Sequence, residues 1–158
     1  MNQPSLDENV SLQLRRLIPA SRERVFRAWI ERDALQQWFR PGGVEVKVSR
    51  LDAQVGGSFQ FETKAPDGTR VVTTGKYLEI RFPEKLVFTW ATNVTENKET
   101  LVTIEFIEQG ASTEVILTHD RLASGVVMAR HQQGWASVLD RLASVSIVLN
   151  GGNHDRLE

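Results

Sequence analysis

From Val10 to Arg15 apolar and polar residues alternate, with Val10, Leu12 and Leu14 on one side and Ser11, Gln13 and Arg15 on the other. A period of two predicts a half-buried strand. Pro19, which has no N–H for a sheet ladder, sets its end. Ser21 is placed to cap a helix, and Glu23 puts a negative charge in its first turn, where the helix dipole favours one. Val25, Phe26, Trp29 and Ile30 then fall on one helical face. Asp33 followed by Gln36 has the spacing of a capping box and predicts a second short helix carrying Leu35, Trp38 and Phe39. Pro41-Gly42-Gly43 stops it.

Between Val44 and about Leu122 the period of two returns repeatedly. Val44, Val46 and Val48 alternate with Glu45, Lys47 and Ser49. Gly56-Gly57 marks a turn or bulge before Phe59 and Phe61, and Pro66-Asp67-Gly68 is hairpin turn chemistry ahead of a long strand from Arg70 to about Arg81. Further strands carry Leu86, Phe88 and Trp90, then Val102, Ile104 and Phe106, then Val115, Leu117 and His119. Short connections of this kind join antiparallel neighbours, because parallel strands need crossover helices. From Ser124 the spacing changes again. Met128, Trp135, Leu139, Leu142, Val145 and Leu149 recur at helical intervals, predicting a helix of about 25 residues that ends at Asn150-Gly151-Gly152.

The expected order is strand, two short helices, six strands and one long helix. Seven strands at about 4.8 Å make a sheet roughly 30 Å wide, whereas one helix is about 10–12 Å across. A curved antiparallel sheet wrapped around the long helix, with the short helices closing one end, is the economical α+β arrangement. Residues 1–9 are expected as a flexible N-terminus, 10–150 as a single domain and 151–158 as a tail. The four Trp and seven Phe either fill the space between sheet and helix or line a pocket there.

Composition narrows the class. The chain has 158 residues, 41% of them hydrophobic and 25% charged, which excludes disordered and collagen-like chains. With 19 Lys and Arg against 20 Asp and Glu, there is no overall electrostatic pull on nucleic acid. The absence of cysteine excludes disulfides, thiolate metal sites and a Cys nucleophile. The start lacks the basic and apolar regions of a secretion signal, and no apolar run approaches the roughly 20 residues of a membrane span. A cytoplasmic protein with no membrane or nucleic-acid partner is expected.

An ordered set of motifs adds a resemblance. Arg16-Leu17-Ile18-Pro19-Ala20 leads to Val25-Phe26-Arg27-Ala28-Trp29 and Trp38-Phe39-Arg40-Pro41. Val55-Gly56-Gly57-Ser58-Phe59, Asp67-Gly68, Gly75 and Pro83-Glu84-Lys85-Leu86-Val87-Phe88-Thr89-Trp90 follow, with Gly134-Trp135 on the last helix. In these stretches the chain resembles the START/birch-pollen-allergen-like superfamily (SRPBCC, helix-grip fold). Within it, it is most similar to the group named for the activator of the 90-kilodalton heat-shock chaperone's ATPase. The resemblance implies an apolar cavity between sheet and long helix. It also implies, as an alternative, a chaperone or other ATPase as partner, for which Arg15, Arg16, Arg22, Arg24, Arg27 and Arg32 offer a locally basic region.

The candidate ligand-binding residues are the inward-facing aromatics Trp38, Phe59, Phe61, Phe88, Trp90, Phe106 and Trp135, with Met128 on the long helix. Each stands equally as ordinary core. Tyr77, His119 and His131 are the polar groups able to orient a ligand; as plain structure they are hydrogen-bonded or rim side chains. His119 and Asp120 are adjacent on a strand and point to opposite faces, so they do not form a catalytic dyad. No G-x-S-x-G or phosphate-loop pattern occurs, His119 and His131 lack a third ligand by spacing, and neither metal nor cofactor is expected. The favoured expectation is a non-catalytic binding protein for a small hydrophobic molecule. An enzyme acting on a hydrophobic, polyketide-like substrate is the more distant alternative.

Overall fold

The structure is a computed structural model that describes residues 10–122 and 125–157, the side chains beyond Val145 excepted. The expected flexible segment 1–9 and Ser124 lie outside the described residues. Seven strands, β1 (Val10–Ile18), β2 (Lys47–Leu51), β3 (Ser58–Lys64), β4 (Arg70–Arg81), β5 (Lys85–Thr92), β6 (Thr100–Gln109) and β7 (Ser112–Leu122), form one antiparallel sheet in the order β1-β7-β6-β5-β4-β3-β2. Three helices, α1 (Arg22–Ile30), α2 (Arg32–Trp38) and α3 (Val126–Leu157), complete an α+β helix-grip fold.

The alternation in the sequence becomes the two faces of this sheet. Leu86, Phe88 and Trp90 on β5, Val102, Ile104 and Phe106 on β6, and Val115, Leu117 and His119 on β7 are all buried. The inward rows end in polar residues at one end of the sheet, where Trp90 pairs with Thr100 and Val102 pairs with His119. Trp135, Val138, Leu139 and Leu142 of α3 are buried, and α3 is tied to the rest by Arg16 to Asp140 at 2.7 Å and by the Gly42 N–H to Ser137 Oγ at 3.0 Å. Helices α1 and α2 fill their end of the sheet: Phe26 packs on Phe106 with ring centroids 4.9 Å apart, and Trp29 on Trp38 at 4.7 Å.

Ser21 caps α1 as expected, accepting the Arg24 N–H. Three boundaries differ from the sequence reading. The cap position of helix α2 lies two residues earlier, at Glu31, with no side-chain cap. Asp33 therefore lies within its first turn, and Gln36 turns away from a capping box to accept the Val48 N–H at 3.1 Å. Strand β2 begins at Lys47 rather than Val44, because Pro41–Gly43 forms a 3-10 turn whose last bond runs from the Val44 N–H to the Pro41 carbonyl. The α3 backbone continues to Leu157 instead of stopping at Asn150. Gly151 and Gly152 weaken a helix without barring it.

Candidate ligand-binding site

Between the concave face of the sheet and α3 lies an apolar cavity of about 290 Å³, close to the lower bound of about 300 Å³ for small-molecule pockets. Phe61 of β3, Val71 and Thr73 of β4 and Trp90 of β5 line its sheet side. Val127, His131, Gly134, Trp135 and Val138 line it from α3. Phe39 enters from the end of α2, where the helix stops; its ring packs at a tilt on Phe61 at 5.1 Å and edge-on to Trp135 at 6.0 Å. A second chamber of about 250 Å³ adjoins the first, sharing Trp90, Thr92, Val94, Thr95, Val127 and His131 with it. Asn93 holds the 3-10 turn Asn93–Thr95 in this position: its amide oxygen accepts the Val72 N–H at 2.8 Å and its amide nitrogen donates to the Arg70 carbonyl at 3.0 Å.

The structure divides the expected site residues. Phe61, Trp90, His131 and Trp135 border the cavity. Phe59, Tyr77 and Phe88 instead surround a gap of about 10 Å³ at the other end of the sheet, room for a single water at most. There Phe59 meets Phe88 edge-on at 5.5 Å. Burial pushes the Tyr77 phenol up, with Asp52 adding to the effect, so it stays protonated. Trp38 is fully buried and donates its indole N–H to the Ala28 carbonyl at 2.9 Å. Neither Trp38, Phe106, Met128 nor His119 reaches the cavity wall. Phe39, Gly134 and Arg130 line it without having been singled out for it. The pairing of Gly134 with Trp135 was the one signal available for Gly134.

His119 works behind the wall. Trp135 donates its indole N–H to His119 Nδ1 at 3.0 Å, so Nδ1 carries no proton and the ring's hydrogen sits on Nε2. Nε2–H then donates to Thr100 Oγ1 at 2.7 Å, and the Thr100 hydroxyl donates to the Trp90 carbonyl at 2.6 Å. Every hydrogen in this chain has one acceptor, and the chain fixes α3, β7, β6 and β5 against one another. Burial, reinforced by the neighbouring His131, lowers the His119 pKa to about 3. His119 is thus a neutral strut that orients Trp135, with no free lone pair for proton transfer. His131 packs edge-to-face on His119 at 4.9 Å and donates from Nδ1 to the Val127 carbonyl at 2.8 Å. Burial lowers its pKa too, against the Val127 bond, and its Nε2 has no partner among the described residues. Among the described residues no three His, Cys, Asp or Glu side chains cluster as metal ligands would, and no helix is long and apolar enough to cross a membrane.

A seven-stranded antiparallel sheet gripping a long C-terminal helix, with an apolar hollow between them, defines an SRPBCC-type helix-grip protein. The family model described as "Activator of Hsp90 ATPase homolog 1-like protein" matches residues 19–146, and the chain belongs to that family. Among solved structures, a protein from Chromobacterium violaceum superposes with a TM-score of 0.79 at 26% identity, covering 86% of this chain and 96% of that one. A protein from Arthrobacter aurescens gives 0.75 at 19% identity, covering 86% and 85%, and a Staphylococcus aureus protein of unknown function gives 0.70 at 20% identity, covering 91% and 97%. These last two likenesses speak for the fold alone. No curated protein matches the chain.

Proposed function

We propose that this protein is a non-catalytic binding protein that holds a small hydrophobic molecule in the cavity between β3–β5 and α3. The observation that carries the reading is Gly134. It sits inside a helix, where glycine costs about 1 kcal/mol relative to alanine, and it borders the cavity. A Cβ built there meets no heavy atom within 4 Å. Neither close packing nor backbone conformation demands glycine at this position; what its missing side chain leaves is room in the hollow. A helix that forgoes stability to keep a void open is better suited to a guest than to scaffolding.

Phe39, Phe61, Trp90 and Trp135 form the aromatic wall against which an apolar body loses its contact with water, at about 25 cal/mol per Å² less the cost of association. His131 Nε2 and the hydroxyls of Thr92 and Thr95 supply the few polar contacts.

The test is Gly134→Leu, read with the fluorescent apolar probe phenylnaphthylamine. The leucine is expected to raise the melting temperature by improving the helix and filling the void, while abolishing the binding seen with the natural chain. Unchanged probe binding in Gly134→Leu, or no binding by the natural chain, overturns the reading.

A further inference from the structure

The two chambers differ in chemistry. The first is walled by apolar side chains, with Arg130 at its edge. The second carries Lys98 and Arg121 against a single acidic residue, Glu96. Arg130 and Arg121 are exposed and form no ion pair among the described residues. They come from different elements, Arg130 from the second turn of α3 and Arg121 from the end of β7, yet both open onto the shared hollow.

Backbone conformation marks the same place. The non-glycine residues in the left-handed region, among those described, are Glu96 (φ 60°), Asn97 (φ 57°) and Arg121 (φ 67°). Asn adopts this region readily, but a long side chain such as Arg pays of order 1 kcal/mol for it. All three fall in the two segments that border the second chamber. Strain of this kind persists where the surroundings hold it, and it gathers at ligand sites.

We infer that the ligand is an amphipathic organic anion, an apolar body carrying one carboxylate or similar acidic group. The body lies against Phe61, Trp90 and Trp135, and the acidic head lies where the two chambers meet, toward Arg130 on the first and Arg121 on the second. This rests on the binding reading above and adds the charge of the guest. Charge-assisted hydrogen bonds from a guanidinium are about twice as strong as neutral ones, and planar guanidinium suits a carboxylate's two oxygens. Thr92 and Thr95 line both chambers and mark the boundary where apolar wall gives way to polar head site.

The experiment uses two dyes with one aromatic body, anilinonaphthalene sulfonate and its uncharged parent phenylnaphthylamine, titrated into the full chain. The sulfonate is expected to bind about tenfold more tightly, with an affinity that falls as salt is added. In the double variant Arg121→Asn, Arg130→Gln the ratio of the two affinities is expected to fall to about one; asparagine tolerates the left-handed backbone at position 121. Lys47→Gln, an exposed charge removed on β2, is expected to change neither dye. Gly134→Leu is expected to exclude both, which places them in the cavity. Equal affinities in the natural chain, or a sulfonate preference that survives the double variant, overturn the anionic head while leaving the apolar cavity intact. If neither dye binds, the apolar reading falls and the head falls with it.

Discussion

His119 is fully buried and electrically neutral, and that combination makes the fold sensitive to acid. Unfolded, its imidazole titrates near 6.5; folded, it is lowered to about 3, first by burial and then by His131. Between those values the unfolded chain binds the extra proton. Stability is therefore complete above about 6.5 and is lost as pH falls toward 3, at up to about 1.4 kcal/mol per pH unit for one proton. His131 is lowered in the same direction, so its contribution has the same sign. Protonation would also set an Nδ1–H against the Trp135 N–H, two donors with nothing between them. Urea denaturation from about pH 7.5 to about 5 is expected to show a steadily falling midpoint, with a shallower fall in His119→Gln. A midpoint flat across that range would contradict the buried neutral ring.

Two contacts between elements make comparably sharp demands. Gly75 on β4 has no room for a side chain: a methyl group there would run into the Thr89 carbonyl oxygen of β5 and the Phe59 ring of β3. One of those neighbours is backbone, so Gly75→Ala is expected to destabilise by about 1–3 kcal/mol or more, seen as a drop in melting temperature. Thr100 links the Trp90 carbonyl to His119. Thr100→Val keeps the shape and leaves the His119 Nε2–H buried without an acceptor, at about 1–3 kcal/mol. Altered fluorescence from Trp135 is expected to accompany the loss. The elements themselves were readable, because alternation along β1 and β5–β7 and the Ser21 cap are local signals. The start of β2 and the cap of α2 were not. The 3-10 turn at Pro41–Gly43 and the bond from Val48 to Gln36 depend on which distant segment each side chain meets.

For the whole molecule, a curved sheet wider than its helix was legible from strand count and helix diameter, but which aromatic faces the hollow was not. Phe59, Phe88 and Trp90 share one period and one inward face, so alternation treats them alike. Position along the curved sheet separates them: the first two sit among rings in the filled end, and Trp90 reaches the void. Phe39 and Gly134 reach it through the meeting of α2, α3 and β3, which no spacing within one element encodes. The same long-range view bears on the chaperone reading that the family's description raises. Of the six arginines expected to form a basic docking region, Arg16 bonds Asp140 at 2.7 Å and Arg15 lies 3.6 Å from Glu114. Arg32 donates to the Val48 carbonyl at 2.7 Å, and Arg27 stands over the Phe82 ring at 5.0 Å. These side chains are committed to the fold itself, and an acidic partner would have to displace those contacts to use them. Exposed pairs yield for 1 kcal/mol or less, but the bond from Arg32 to a main-chain carbonyl and the Arg27 stack on Phe82 help seat α1 and α2. The expected outcome is therefore that saturating protein leaves ATP turnover by an Hsp90-class chaperone unchanged in a coupled ATPase assay. Saturable stimulation that disappears in Arg15→Gln, Arg16→Gln, with the fold and the probe binding intact, would show that the basic strand serves a partner after all.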